Sequence, residues 1–165
     1  MADLTQNINF LQPTSFKLVI DRKNLPNLTY FVNTIMHPSV ALNPADIGYQ
    51  RTNVRFVGDK LNYGEMQCQV IMDEDMTAYT EMFNWMKSIV ENPVVPSTER
   101  MRAAGSFTTV DLSIVVLSSV NTANKTIKYI NAIPVSLGDI NFETTTADSF
   151  ITFPITFAFD YWEIV

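Results

Sequence analysis

Few residues in this chain are of a type that does chemistry. There is one histidine, His37, and one cysteine, Cys68. A Ser-His-Asp relay would have to recruit His37 as its base. That residue stands between Met36 and Pro38, where an extended segment should stop, and no Gly-x-Ser-x-Gly turn is present to hold up a nucleophile. The plainer reading is a surface or subunit-contact histidine. Cys68 alternates in phase with Met66, Val70 and Met72, which predicts a small buried hydrophobe; a reactive thiol would want a cationic neighbour, and the sequence names none. Asp73, Glu74 and Asp75 form the densest acidic run, but EF-hand spacing and a second acidic cluster are both missing, so the start of a helix explains them better than a metal does. Gly58 and Gly138 each precede Asp and read as turns, not as a phosphate-cradling loop. A four-ligand Cys/His zinc cage and an internal disulfide are both excluded by the counts. The expectation is no catalytic residue, no cofactor and no metal.

The chain has 165 residues, 47% of them hydrophobic and 17% charged, enough for one folded domain with one core and too apolar for disorder. Lys and Arg total 11 against 17 Asp and Glu, a formal charge of −6. That balance is wrong for gripping phosphates. The first residues lack a basic stretch followed by an apolar one, and no apolar run is long enough to span a bilayer. These features predict a soluble product of a reducing compartment, and make chance matches of the glycosylation-like triplets at Asn27 and Asn124.

The elements that would position these residues are mainly strands, because period-two alternation dominates. Strands are predicted over 15–22, 28–36, 54–57, 66–72, 107–119, 125–133 and 139–144, with a turn at 24–27 and a stop at Pro134. Residues 39–53 read either as a long loop or as a ragged, extended hairpin. One helix follows the acidic run, carried by Met76, Tyr79, Met82, Phe83, Met86, Ile89 and Val90 and ended at Asn92-Pro93. Residues 93–106, with Arg100 and Arg102, look irregular. The last strand places Ile151, Phe153, Ile155, Phe157, Phe159 and Tyr161 on one face, with Pro154 marking an edge or a bulge. The sum is a mainly β fold: two packed antiparallel sheets, as a sandwich or small barrel, with one flanking α-helix.

The ending, Asn141-Phe142-Glu143 and then Phe153-Pro154-Ile155-Thr156-Phe157-Ala158-Phe159-Asp160-Tyr161-Trp162-Glu163, resembles the C-terminus of tail tube proteins of T4-like contractile-tailed bacteriophages. Val57-Gly58-Asp59-Lys60, Asp73-Glu74-Asp75 with Phe83-Asn84-Trp85, and Ile133-Pro134-Val135 with Leu137-Gly138-Asp139-Ile140 resemble further motifs of that family in order. The resemblance covers nearly the whole chain and is poorest at 93–106.

It implies a structural virion protein, a single domain over 1–165 with an extended inter-subunit arm around 39–57, and no enzyme. Six copies would form a ring, sheets of neighbours would join into one inner barrel, and stacked rings would make a tube inside the contractile sheath for genome delivery. The implied partners are further copies of itself, the sheath protein, the baseplate hub or tube initiator and the tail terminator. DNA would cross the lumen without specific binding, and no membrane is involved. The implied location is the virion tail, assembled in host cytoplasm. Asn43, Tyr49, Arg51 and Trp162 are the expected subunit contacts, although Trp162 fits equally a second apolar layer under a loop. Asp160, opposite the aromatic row, is a candidate for facing the lumen and equally an ordinary solvated acid. A baseplate tube-initiator, another tube-like paralogue or a contractile-injection tube protein would share these features. A ligand-binding or enzymatic β-barrel is the rival class, and it predicts a closed apolar cavity.

Overall fold

The computed structural model describes residues 10–20, 25, 27–49, 51–90, 109–144 and 149–165. The predicted irregular stretch at 93–106 lies outside them, as do Asn24 and Pro26 of the predicted turn. The strands are β1 (Phe16–Val19), β2 (Val32–Met36), β3 (Val40–Leu42), β4 (Ala45–Tyr49), β5 (Thr52–Phe56), β6 (Leu61–Tyr63), β7 (Met66–Ile71), β8 (Val110–Leu117), β9 (Ala123–Leu137), β10 (Thr152–Ala158) and β11 (Tyr161–Ile164). Helix α1 (Leu28–Phe31) is one turn, and α2 (Thr77–Val90) is the flanking helix. Every strand pairing among the described residues is antiparallel.

Seven strands make one hydrogen-bonded path, β1-β8-β9-β10-β7-β2, with β11 also on β9. The path does not close into a barrel. It has two halves joined by β9, which is 15 residues long. Its first part lies between β8 and β11, with Tyr129 opposite both Leu112 and Trp162. Its last part, from Ile133, lies beside β10. The change of direction falls at Asn131, whose φ of 55° is a left-handed angle that Asn tolerates better than most residues. The backbone N–H of Asn131 donates to Asp111 Oδ1 at 3.2 Å, and its side-chain Nδ2 donates to Asp160 Oδ2 at 2.7 Å.

One apolar cluster draws on both halves: Leu18, Leu112, Ile114 and Tyr129 from one, and Met66, Cys68, Val70, Phe153, Ile155 and Phe157 from the other. Helix α2 contributes Ala78, Met82 and Trp85, with Tyr79 standing edge-on to Phe153 at 5.3 Å and Trp85 near Phe157 at 6.2 Å. Met82, Tyr79 and Ile89 of the predicted stripe lie against the core, but one edge of it does not. Phe83 and Val90 are exposed, and Trp85 is the large ring that turns inward. Met76 precedes the helix with φ 51°. Asp73 serves the helix start as expected: its carboxylate accepts from the N–H groups of Thr77 at 3.1 Å and Ala78 at 3.4 Å. Burial alone would raise its pKa, but the hydrogen bonds from Thr77 and Ala78 outweigh that and hold the carboxyl below its ordinary value.

Four predicted elements change. Residues 28–31 form a helical turn, and Leu28 at its start and Leu25 before it are both buried in the core. Pro134 does not stop β9; the strand runs through it to Leu137, and the register shift opposite Thr156/Phe157 absorbs the irregularity. Residues 139–144 carry no strand. The final strand breaks at Phe159-Asp160 into β10 and β11, and the break inverts the alternation. Phe153, Ile155 and Phe157 are 0% exposed, whereas Tyr161 faces outward at 42% and Trp162 turns inward beside Tyr129. Pro154 sits in β10, between β7 and β9, so it marks no edge.

Phe157 fills the space where β10, β9 and α2 meet. Phe157→Ala is expected to cost about 3–5 kcal/mol, read as a lower urea midpoint in equilibrium unfolding with an unchanged slope.

Candidate functional site

The residues between the body strands β2 and β7 build a feature unlike the rest. β3 pairs with β6 (Val40 opposite Tyr63) and β4 with β5 (Ala45 opposite Phe56), so two short ladders continue one another into a long hairpin. This is the extended-hairpin reading of 39–53, and the return strand carries it on to Tyr63. Between the ladders the two strands approach closely at Gly58. A Cβ there would run into the carbonyl of Asn43, which explains a glycine at this position without any special φ.

The hairpin buries almost nothing. Leu42, Ile47, Val54, Phe56 and Leu61 are exposed, and Val57 is 85% exposed. Its one ion pair, Arg55 Nε to Asp46 Oδ1 at 3.4 Å, joins directly opposed exposed residues and contributes little on its own. A lone two-stranded ribbon is marginal in water. One with this apolar surface is built to be covered. Asn43 is exposed at the junction of the ladders, Arg51 is exposed at the turn, and Tyr49 closes the β4–β5 ladder opposite Thr52.

Rings hold the root of the hairpin to the body. Tyr63 lies 6.1 Å from Phe159 and 6.3 Å from Trp162; Tyr129 stands edge-on to Phe159 at 4.9 Å. His37 meets Trp162 edge-on at 5.0 Å. Trp162 is thus half-buried under the hairpin root, with Nε1 buried and without a hydrogen-bond partner among the described residues. The sequence singled out His37 and Trp162 separately; it gave no sign that they touch, nor that Tyr63 and Tyr129 join them. His37 Nδ1 lies 2.6 Å from the buried Tyr129 hydroxyl. In the neutral tautomer with its proton on Nε2 the phenol donates to this nitrogen; in the other, Nδ1–H donates to the phenol oxygen. Partial burial lowers the His37 pKa, and burial raises that of Tyr129, so both groups stay uncharged near neutrality.

The other chemistry-bearing residues stay apart. Cys68 is buried and its thiol is pushed up to about 12 by burial, which keeps it unreactive. Asp160 is exposed and pins the break between β10 and β11 through Asn131. No group of three metal-ligating side chains occurs among the described residues.

Because the folded pKa of His37 is below its ordinary 6.5, the folded chain prefers the neutral ring. This stability is complete above that value and is lost as pH falls through the lowered one. The expected outcome is a melting temperature that drops between about pH 7 and pH 5 more steeply than in His37→Gln; equal slopes in thermal scans would refute it. Tyr129→Phe is expected to cost about 0.5–1.5 kcal/mol in denaturant titration at neutral pH.

A sequence model of the phage tail tube protein family matches residues 5–165. No curated protein matches the chain. Among solved structures, a chain in the tube-terminating cap of the anti-feeding prophage aligns with a TM-score of 0.70 at 15% identity, covering 99% of this chain and 96% of that one. A chain in the extended sheath–tube complex of the extracellular contractile injection system PVC aligns at 0.67 and 17% identity, covering 96% and 93%. Hcp1 from Flavobacterium johnsoniae aligns at 0.51 and 17% identity, covering 94% of each. At these identities the likeness establishes a shared fold. With the family match running over nearly its full length, the chain belongs to the phage tail tube proteins, a structural and not an enzymatic family.

Proposed function

We propose that the working unit is a ring of six copies, stacked into a hollow tube inside a contractile sheath, with the hairpin from Val40 to Tyr63 as the arm that reaches a neighbouring copy. The observation that carries this reading is the unburied apolar surface of that hairpin, which a second copy would cover. The sheet margins agree with it. β2 pairs with β7 and has no second partner among the described strands, and residues 133–137 of β9 pair with β10 alone. Open backbone edges of this kind invite aggregation unless a copy of the same chain completes them. Heterologous contacts that close by rotation complete every edge at once.

On this reading Asn43, Tyr49 and Arg51 are contacts of the arm, whereas Trp162 acts from beneath it by fixing its angle. The sheath, the baseplate hub or tube initiator and the tail terminator are the further partners, and assembly takes place in host cytoplasm before the tail is complete. A subunit placed at one end of the tube is the second reading, favoured by the likeness to a chain from a tube-terminating cap.

Negative-stain microscopy of the purified protein tests the proposal. Rings of six or stacked tubes are expected; a persistent monomer at high concentration would count against a repeated subunit. Gly58→Ala, which must push Asn43 away, is expected to leave thermal unfolding of the body nearly unchanged and to shift sedimentation from assemblies toward protomers.

A further inference from the structure

The two halves of the sheet present opposite chemistry to their surroundings. On the β1-β8-β9-β11 half, the outward positions include Lys17, Lys128 and Glu163, with Lys128 directly opposite Glu163, and all three are exposed. On the other half, Val32–Met36, Met66–Ile71, Thr152–Ala158 and residues 133–137 contain no Asp, Glu, Lys, Arg or His at all. Their inward positions are the core residues Met66, Cys68, Val70, Phe153, Ile155 and Phe157. Their outward positions carry Thr34, Gln67, Gln69, Pro154, Thr156 and Ser136, interleaved with the exposed apolar side chains Met36, Ile133 and Val135: amides, hydroxyls, a proline ring and aliphatic groups, none of them charged. Among the described residues this sheet is open at both margins, and α2 covers one face.

From these facts, and resting on the ring reading above, we infer that the bore of the tube is lined by this uncharged face of amides, hydroxyls and aliphatic groups and not by carboxylates. When open margins of neighbouring copies pair, the sheet becomes the wall of a closed barrel. The face under α2 has no room inside such a barrel, so it lies outward and the uncovered face lies inward. Asp160, at the break between β10 and β11 beside Asn131, is then outside the face that lines the lumen.

The consequence is a bore that neither attracts nor repels a duplex strongly. Basic side chains would bind phosphates by releasing counterions and would stall transit; the outward positions of this sheet offer none. Carboxylates would repel the duplex through a field that salt screens. The amides and hydroxyls of this wall exchange their hydrogen bonds with water and none of its side chains carries a charge, so passage of DNA depends little on ionic strength.

Cysteine labelling of assembled tubes tests the placement. Buried Cys68 serves as the internal negative control. Gln69→Cys is treated with a small maleimide dye and with a maleimide on a polymer too wide for the bore. In dissociated protomers both reagents should react; in tubes the dye should still react and the polymer should fall to background. If Gln69→Cys blocks assembly, Thr156→Cys on the same face is used. The inference is overturned if the polymer labels position 69 in tubes, if both reagents are refused there, or if Asp160→Cys shows the dye-only pattern. Protein that sediments as a monomer at every concentration before labelling refutes the ring itself, and the lining with it.

Discussion

A right-twisted strand of 15 residues cannot lie flat in one sheet along its whole length. β9 resolves this by turning at Asn131, where the left-handed backbone is held by Asp111 on one strand and Asp160 near another. The rest of the structure depends on this turn. It lets one strand belong to two half-sheets that face a common core, so Tyr129 and Phe157 join a single apolar cluster although they belong to different halves. The same turn forces the break between β10 and β11, since both run along the same margin of β9 and must follow its change of direction.

An open path of strands has margins, and these are the second consequence. A closed barrel would have satisfied every backbone group within the chain. This fold leaves β2 and the end of β9 without second partners among the described strands and extends a ribbon with exposed apolar side chains between β2 and β7. In isolation both are liabilities. In the ring proposed above both would be complementary surfaces, and the features that look unfinished in one chain would bear the function. The aromatic root of Tyr63, Phe159, Trp162, Tyr129 and His37 ties the ribbon's direction to the core. In the proposed ring, that coupling would let a short contact at the arm position a whole protomer.

Charge is sorted with the same economy. The acidic balance of the chain suggests a uniformly negative particle, yet β2, β7, β10 and residues 133–137 of β9 hold no Asp, Glu, Lys, Arg or His. Asp160, conspicuous in the sequence near the end of an aromatic run, is used to hold the turn of β9.

Local patterns settled much of this in advance. Alternation identified β1, β7, β8 and the buried face of β10, because an apolar residue at every second position has only one comfortable conformation at a sheet surface. The acidic run located the start of α2, Cys68 was correctly read as core, and the absence of any clustered nucleophile, base or ligand pointed away from an enzyme. Other features depend on contacts between distant residues and leave no local trace. The turn at 28–31 accompanies the burial of Leu25 and Leu28 in the core, which no alternation in that segment announces. β9 continues through Pro134 because β10 accepts a register shift there. Trp85 rather than Phe83 enters the core because the helix is rotated by what lies beneath it, and Trp162 faces inward because one break upstream reverses the alternation. Sequence thus determined which segments extend and what chemistry they lack; tertiary packing decided which side of each faces in, since a phase shift of one residue costs nothing locally and is resolved only by the partner strand.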